Sequence, residues 1–244
     1  MPIHDWTTVT AGTFHDFHQG WIIAIRNALN GGLLPAGYYA MAEQVAGRPH
    51  PDVLTLEVFE PAAVWSGPDR RVGIALADHP PRVRYTLKAE ATLYAAKADR
   101  IAIYHSSGDR VVAFLALISP GNKHSRPAVQ QLLDKLSRAL AQGLHLLVID
   151  LHPPGRHDPE GLHAAYWGGE PGVTPDQPLS LAAYCADDCP TAYFEPIAVG
   201  AILADMPLFL TPDRYINVPL ETTYQAAWRG VPERWKQVIL GQEP

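Results

Sequence analysis

The chain has 244 residues, with 19 Lys and Arg against 25 Asp and Glu, for a formal net charge of −6. That length is enough for a sizeable buried core, and the negative balance excludes a general electrostatic attraction to nucleic acid, leaving only a local basic cleft open. No apolar stretch is long enough to span a bilayer, and MPIHDWTT lacks the basic and apolar regions of a signal peptide, so a cytoplasmic protein with no membrane partner is expected.

Thr13 precedes a segment in which Phe14, Phe17, Trp21, Ile25, Ala28 and Leu29 line one helical face. Asp16 completes a weak capping box with Thr13, and Asn30-Gly31-Gly32 supplies the stop. His15 and His18 are spaced to share a metal, but beside an apolar stripe and without a third ligand they read as packed and hydrogen-bonded. Tyr38 to Ala46 and then Pro51 to Val58 read as strands, with Asp52 at the start of the second, where a carboxylate is also an ordinary turn residue. A proline- and glycine-rich stretch follows, with a short strand at Val72 to Ala77. From Arg82 the pattern clears into RVRYTL and then two strands joined by the turn Ser106-Ser107-Gly108-Asp109. Lys97, Asp99, Arg100 and Arg110 read as a solvated rim.

The centre of the chain is Val111 to Leu151: an apolar run, a Pro-Gly break, an amphipathic helix and a second apolar run. This is the pattern of a βαβ unit, whose strands are covered on both faces and so read as continuous hydrophobics. The first run stops at Ser119-Pro120-Gly121-Asn122, because proline cannot donate to a ladder. Ser125 or Asn122 caps a helix whose stripe is Val129, Leu132, Leu133, Leu136 and Leu140, and Gly143 ends it. Ligands of open α/β sheets bind at carboxyl ends of strands, which makes Ser119, Asn122 and Lys123 at one end candidate substrate-binding residues, with Asp150 near another. As a lone cation, Lys123 otherwise reads as solvated surface.

Residues 152–178 are rich in proline and glycine and read as a long surface connection, with His152, His157, Asp158 and His163 at spacings that match no metal signature. Tyr166, Trp167 and Trp228 look exposed, which favours a partner surface. The C-terminal third reads as short strands followed by a helix that Pro232 splits. Cys185 and Cys189 have neither zinc nor redox spacing and read as reduced thiols. One α/β domain is expected, with a mixed central sheet flanked by helices: a core at about 13–151, the connection at about 152–178 and a C-terminal extension at about 179–244.

IHDWTTVTAGTFHDFHQGWI, LLPAGYYAMAEQ, HPDV, VVAFLALISPGNK, GLHLLVIDL and MPLFL…YINVPLETTY together resemble the uncharacterised bacterial domain-of-unknown-function 4058 (DUF4058) family, over nearly the whole chain. That family in turn resembles the Uma-type members of the PD-(D/E)XK, or restriction-endonuclease-like, superfamily. The resemblance implies metal-dependent phosphodiester hydrolysis: a Pro-Asp pair opens one strand, an acid sits on the next, and a lysine follows or migrates to the succeeding helix. On this chain it implies Asp52 as the first acid, Lys135 as the migrated lysine and Glu43 as an extra acid, with Asp52 and Glu43 holding Mg²⁺ or Mn²⁺ if the protein is active. The second acid is missing, because Ala116 stands in its place and has no oxygen to offer a metal.

The leading expectation is therefore a restriction-endonuclease-like domain with an incomplete nuclease site and weak or no activity. A non-catalytic structural or protein-interaction module, paired with a protein partner or a second copy of the chain, is the alternative. Nucleic acid is the weaker candidate partner. A histidine-dependent metal hydrolase built from His4, Asp5, His15, Asp16 and His18 is the third reading.

Overall fold

The computed structural model describes residues 3–43, 85–88, 100–168 and 171–242. After a short 3₁₀ turn at Trp6–Thr8, helix α1 covers Ala11–Ala28 and unwinds through a π turn at Leu29–Leu33. Strands β1 (Tyr38–Glu43), β2 (Tyr85–Lys88), β3 (Arg100–His105) and β4 (Arg110–Leu117) lead to the one-turn α2 (Pro120–Lys123), helix α3 (Arg126–Ala141) and strand β5 (His145–Asp150). Then come α4 (Leu162–Trp167), β6 (Leu179–Cys185), β7 (Thr191–Ile197), β8 (Met206–Thr211), β9 (Arg214–Val218), α5 (Leu220–Gly230) and α6 (Glu233–Ile239). The expected strands at Pro51 to Val58 and Val72 to Ala77, together with Asp52, Lys97 and Asp99, lie outside the described residues.

Among the described residues, seven strands form one mixed sheet in the order β1-β3-β4-β5-β6-β7-β2, and β8 and β9 form a separate pair. The expected βαβ unit is at its centre: β4 and β5 are parallel, and α3 crosses between them. Both strands are buried on two faces. Leu115, Leu117, Leu147 and Ile149 face α1 and α5, whereas Phe114, Leu146 and Val148 face α3 and α4. Helices on both sides leave no solvated face, and the polar half of a strand's alternation disappears with it. Each buried leucine here contributes roughly 1.5–3 kcal/mol. The β3–β4 hairpin turns through Gly108 (φ 78°) and Asp109 (φ 46°), as its Ser-Ser-Gly-Asp sequence predicts.

Helix α1 starts one turn earlier than its apolar pattern suggests. Thr10 is the N-cap, its hydroxyl accepting from the Thr13 amide at 3.4 Å, so Thr13 lies inside the helix. Ser125 caps α3 through the Ala128 amide, and Gly143 ends it with φ 77°. Pro232 does separate α5 from α6. The connection after β5 corrects the expectation most, because it contains α4 and buries His152, Asp158 and His163. Tyr166 and Trp228 are buried as well, since α4 and α5 press their aromatic sides onto the two faces of the sheet. Among the described residues no helix is long and apolar enough to cross a membrane.

Candidate functional site

The carboxyl ends of β4 and β5 meet at a knot of polar side chains. At the end of β4 the amide and hydroxyl of Ser119 both donate to Asn122 Oδ1, at 2.8 and 2.9 Å, while the Asn122 amide donates back to the Ser119 carbonyl. Pro120 fits the first turn of α2 because no intrahelical partner is required of its nitrogen there. This tight turn aims Lys123 back across the strand ends. Ser119 and Asn122, expected to bind substrate, thus spend these polar atoms on each other.

Lys123 is buried, not solvated as a lone surface lysine would be. Its Nζ lies 2.8 Å from Asp150 Oδ2, 2.8 Å from the His152 carbonyl, 3.0 Å from the Pro153 carbonyl and 2.9 Å from Asp158 Oδ2. The three side chains are 7%, 4% and 0% exposed. An ammonium has three protons for these four oxygens, and the Asp158 contact is the ion pair without a well-directed hydrogen bond. Both carboxylates are oriented by their other oxygens: the His152 amide donates to Asp150 Oδ1 at 3.1 Å and the Gly155 amide to Asp158 Oδ1 at 2.9 Å. A Cβ at Gly155 would come within 3.2 Å of that same oxygen, which accounts for the glycine.

Burial works against the charge on Lys123, but Asp150 and Asp158 outweigh it and hold the ammonium above the usual lysine range. Burial lifts the Asp150 carboxyl above the usual carboxylate range despite the nearby cation. His152 packs its ring edge against Phe14 at 4.4 Å and leaves Nε2 without a hydrogen-bond partner. Burial first, then the positive charge of Lys123 and the neighbouring His18, push its pKa down to about 4. His18 donates Nε2–H to the Leu117 carbonyl at 2.8 Å, tying α1 to the end of β4. His18 is therefore packed and hydrogen-bonded, and His15 is exposed.

The nuclease-type residues fall elsewhere. Glu43 on β1 is in register with Arg100 on β3, which is in register with Ala116 on β4, which is in register with Val148 on β5. Side chains in register share a face, so Arg100, Ala116 and Val148 look toward α3. Arg100 is half-buried rather than part of a solvated rim, with its guanidinium 3.9 Å above the centre of the Phe114 ring. Lys135 is half-buried on α3. Ser137 is beside Tyr166 of α4, and Lys135 is about 200° away around the helix. Glu43, Arg100 and Ala116 thus occupy neighbouring register positions on β1, β3 and β4, while Asp52 lies outside the described residues. An alanine and a guanidinium at adjacent positions do not fit a divalent cation, which needs several oxygen ligands and no neighbouring positive charge.

The N-terminal histidines do not converge on a metal. The His4 amide and Trp6 Nε1–H both donate to the Tyr224 hydroxyl, at 3.2 and 3.1 Å, and fill its lone pairs. Its single proton must then go to His4 Nδ1 at 2.8 Å, so His4 carries its own proton on Nε2. The ring also stacks on Trp228 at 3.6 Å. The IHDW and LETTY motifs are thus two halves of one buried contact. Among the described residues no group of three or more His, Cys, Asp or Glu stands close enough to hold a metal ion.

Asp158 as the partner of Lys123 was not legible in the sequence, although an available signal was Asp150. A carboxylate that ends an all-apolar strand must find a cation or remain protonated. No family model, no curated protein and no solved structure matches this chain.

Proposed function

We propose that the chain is a nuclease-like α/β scaffold whose metal centre is incomplete, with weak or no phosphodiesterase activity. The observation that supports this reading is the register row: the strand position of the missing acid is Ala116, and its neighbour toward Glu43 is the cation Arg100. Glu43 and Ala116 are two strand spacings apart, about 10 Å, so Arg100 occupies the position between them. The Uma-type pattern of a strand followed by a helix bearing the lysine agrees with β4, α3 and Lys135.

Calorimetric titration with Mn²⁺ tests this. Wild type and Asp52→Ala should give only the heat of dilution. Ala116→Glu alone should gain little, because its carboxylate meets Arg100, while Ala116→Glu combined with Arg100→Gln should gain measurable affinity. Stoichiometric binding by wild type that Asp52→Ala abolishes, with nucleic-acid cleavage, would show the centre to be complete. If the double variant also binds nothing, the nuclease-like ancestry loses its support.

The interaction-module reading keeps one supporting observation: Val199 and Ile202, on the loop between β7 and β8, are 41% and 70% exposed. Light scattering distinguishes a self-associating protein from a monomer, and substituting both residues with serine should remove any association.

A further inference from the structure

We infer that the Lys123 knot is an autocatalytic cross-linking site, in which the Lys123 amine condenses with the Asp150 carboxyl to form an isopeptide bond and Asp158 relays the proton. This inference does not depend on the nuclease reading. It rests on four features of the knot. Lys123 Nζ lies 2.8 Å from Asp150 Oδ2, a hydrogen bond that holds the amine beside the carboxyl whose carbon it would attack. All three side chains are withdrawn from water, so the site excludes hydrolysis of the product. Asp158 Oδ2 is 2.9 Å from Nζ, so a rotation of the ammonium about its Cε–Nζ bond brings a proton to it. The two Asp150 oxygens have different surroundings: Oδ2 faces the amine, and Oδ1 accepts the His152 amide, the donor that a tetrahedral oxyanion requires.

The step balances without a co-reactant. Lys123 begins as an ammonium and Asp150 as a carboxylate. One ammonium proton crosses through Asp158 to Asp150 Oδ2, leaving a neutral carboxylic acid, and the freed lone pair attacks Asp150 Cγ. The C–N bond forms while negative charge collects on Oδ1 beside the His152 amide. Oδ2 departs as water, carrying the proton relayed by Asp158 and a second one from the nitrogen, which keeps its third as the amide hydrogen. Asp158 ends unchanged, and the His152 and Pro153 carbonyls remain beside the new amide. Because the carboxylates favour the ammonium, the reactive neutral amine is a small fraction and condensation is a slow maturation of the folded chain. The product joins residues 27 apart in sequence and closes a covalent loop around α3 and β5.

Intact mass spectrometry under denaturing conditions, after prolonged incubation of the purified chain, tests the inference. The expected result is a mass one water below that of the sequence, with a branched proteolytic peptide joining Lys123 to Asp150. Lys123→Arg and Asp150→Ala should stay at full mass. Asp158→Asn, which keeps the shape but cannot relay the proton, should lose at least 90% of the cross-link. A wild-type chain at full mass overturns the inference. So does a water loss confined to a linear peptide, which would be cyclisation of an aspartate. Cross-linking undiminished in Asp158→Asn overturns the role given to Asp158.

Discussion

The strand-end knot and the register row contain similar residue types and use them in opposite ways. At the knot, Lys123, Asp150 and Asp158 are drawn together, excluded from water and satisfied by one another and by backbone groups. Along the row, the residues that a nuclease would bring together are separated by a strand that carries Arg100, and one of them is an alanine. Polar residues at a strand end are therefore not by themselves a ligand site. What decides is whether their hydrogen-bonding capacity is consumed inside the fold.

Acid should expose this contrast most strongly, because His152 sits beside the knot and no buried histidine sits in the row. Burial holds the rings of His4, His145, His152 and His163 to a pKa of about 4, against 6.5 when unfolded. Below pH 6.5 the unfolded chain binds protons that the folded rings refuse, so stability falls, and the loss levels off below about pH 4. Each ring contributes at most about 1.4 kcal/mol per pH unit in that window, partly offset by the raised Asp150 carboxyl, which favours the folded state as it protonates. Urea denaturation at pH 7, 5.5 and 4.5 should show a steep drop. A midpoint that stays flat across that range would mean the rings are hydrated in the folded protein.

Lys123→Met should come next. It leaves two buried carboxylates without their cation, at a cost of about 3–5 kcal/mol, whereas loss of an exposed lysine would cost almost nothing. Adding Asp150→Asn and Asp158→Asn to Lys123→Met should recover part of that loss, since neutral amides do not repel each other. Chemical denaturation of the single and triple variants checks both statements, and an unchanged single variant would move Lys123 back to the surface.

In the row, Ala116→Glu puts a carboxylate at a position that is 5% exposed, and it should destabilise by about 1–3 kcal/mol. Arg100→Gln in the same chain should make that loss larger by removing the cation in register with it on β3, which denaturation melts of the two variants would reveal. The smallest expected effect is that of Ser119→Ala, about 1 kcal/mol, because Asn122 keeps its bond to the residue 119 amide. If Ser119→Ala matches Lys123→Met, the turn and not the ion pair organises the knot.

Periodicity and punctuation made much of the fold legible. Two uninterrupted apolar runs around an amphipathic helix specify a doubly covered parallel pair, and β4, α3 and β5 form that pair. Ser-Ser-Gly-Asp specifies the hairpin turn, Gly143 the end of α3 and Pro232 the break between the last helices. The connection after β5 was harder, because proline and glycine mark where a chain turns and do not say whether the turning segment is covered. Its burial comes from α4 packing on the α3 face and from Lys123 reaching across from another element.

By itself the sequence determined the βαβ centre, the Ser125 and Gly143 ends of α3 and the absence of an acid at position 116, since each depends on neighbours within a few residues. Only the tertiary structure decided that Lys123 pairs with Asp150 and Asp158, that Tyr224 ties His4 to Trp6, and that Arg100 stands between Glu43 and Ala116. The physical reason is range: capping and alternation are written in local spacing, but the partner of a buried charge is chosen by which strand ends and loops the packed core brings within hydrogen-bond distance.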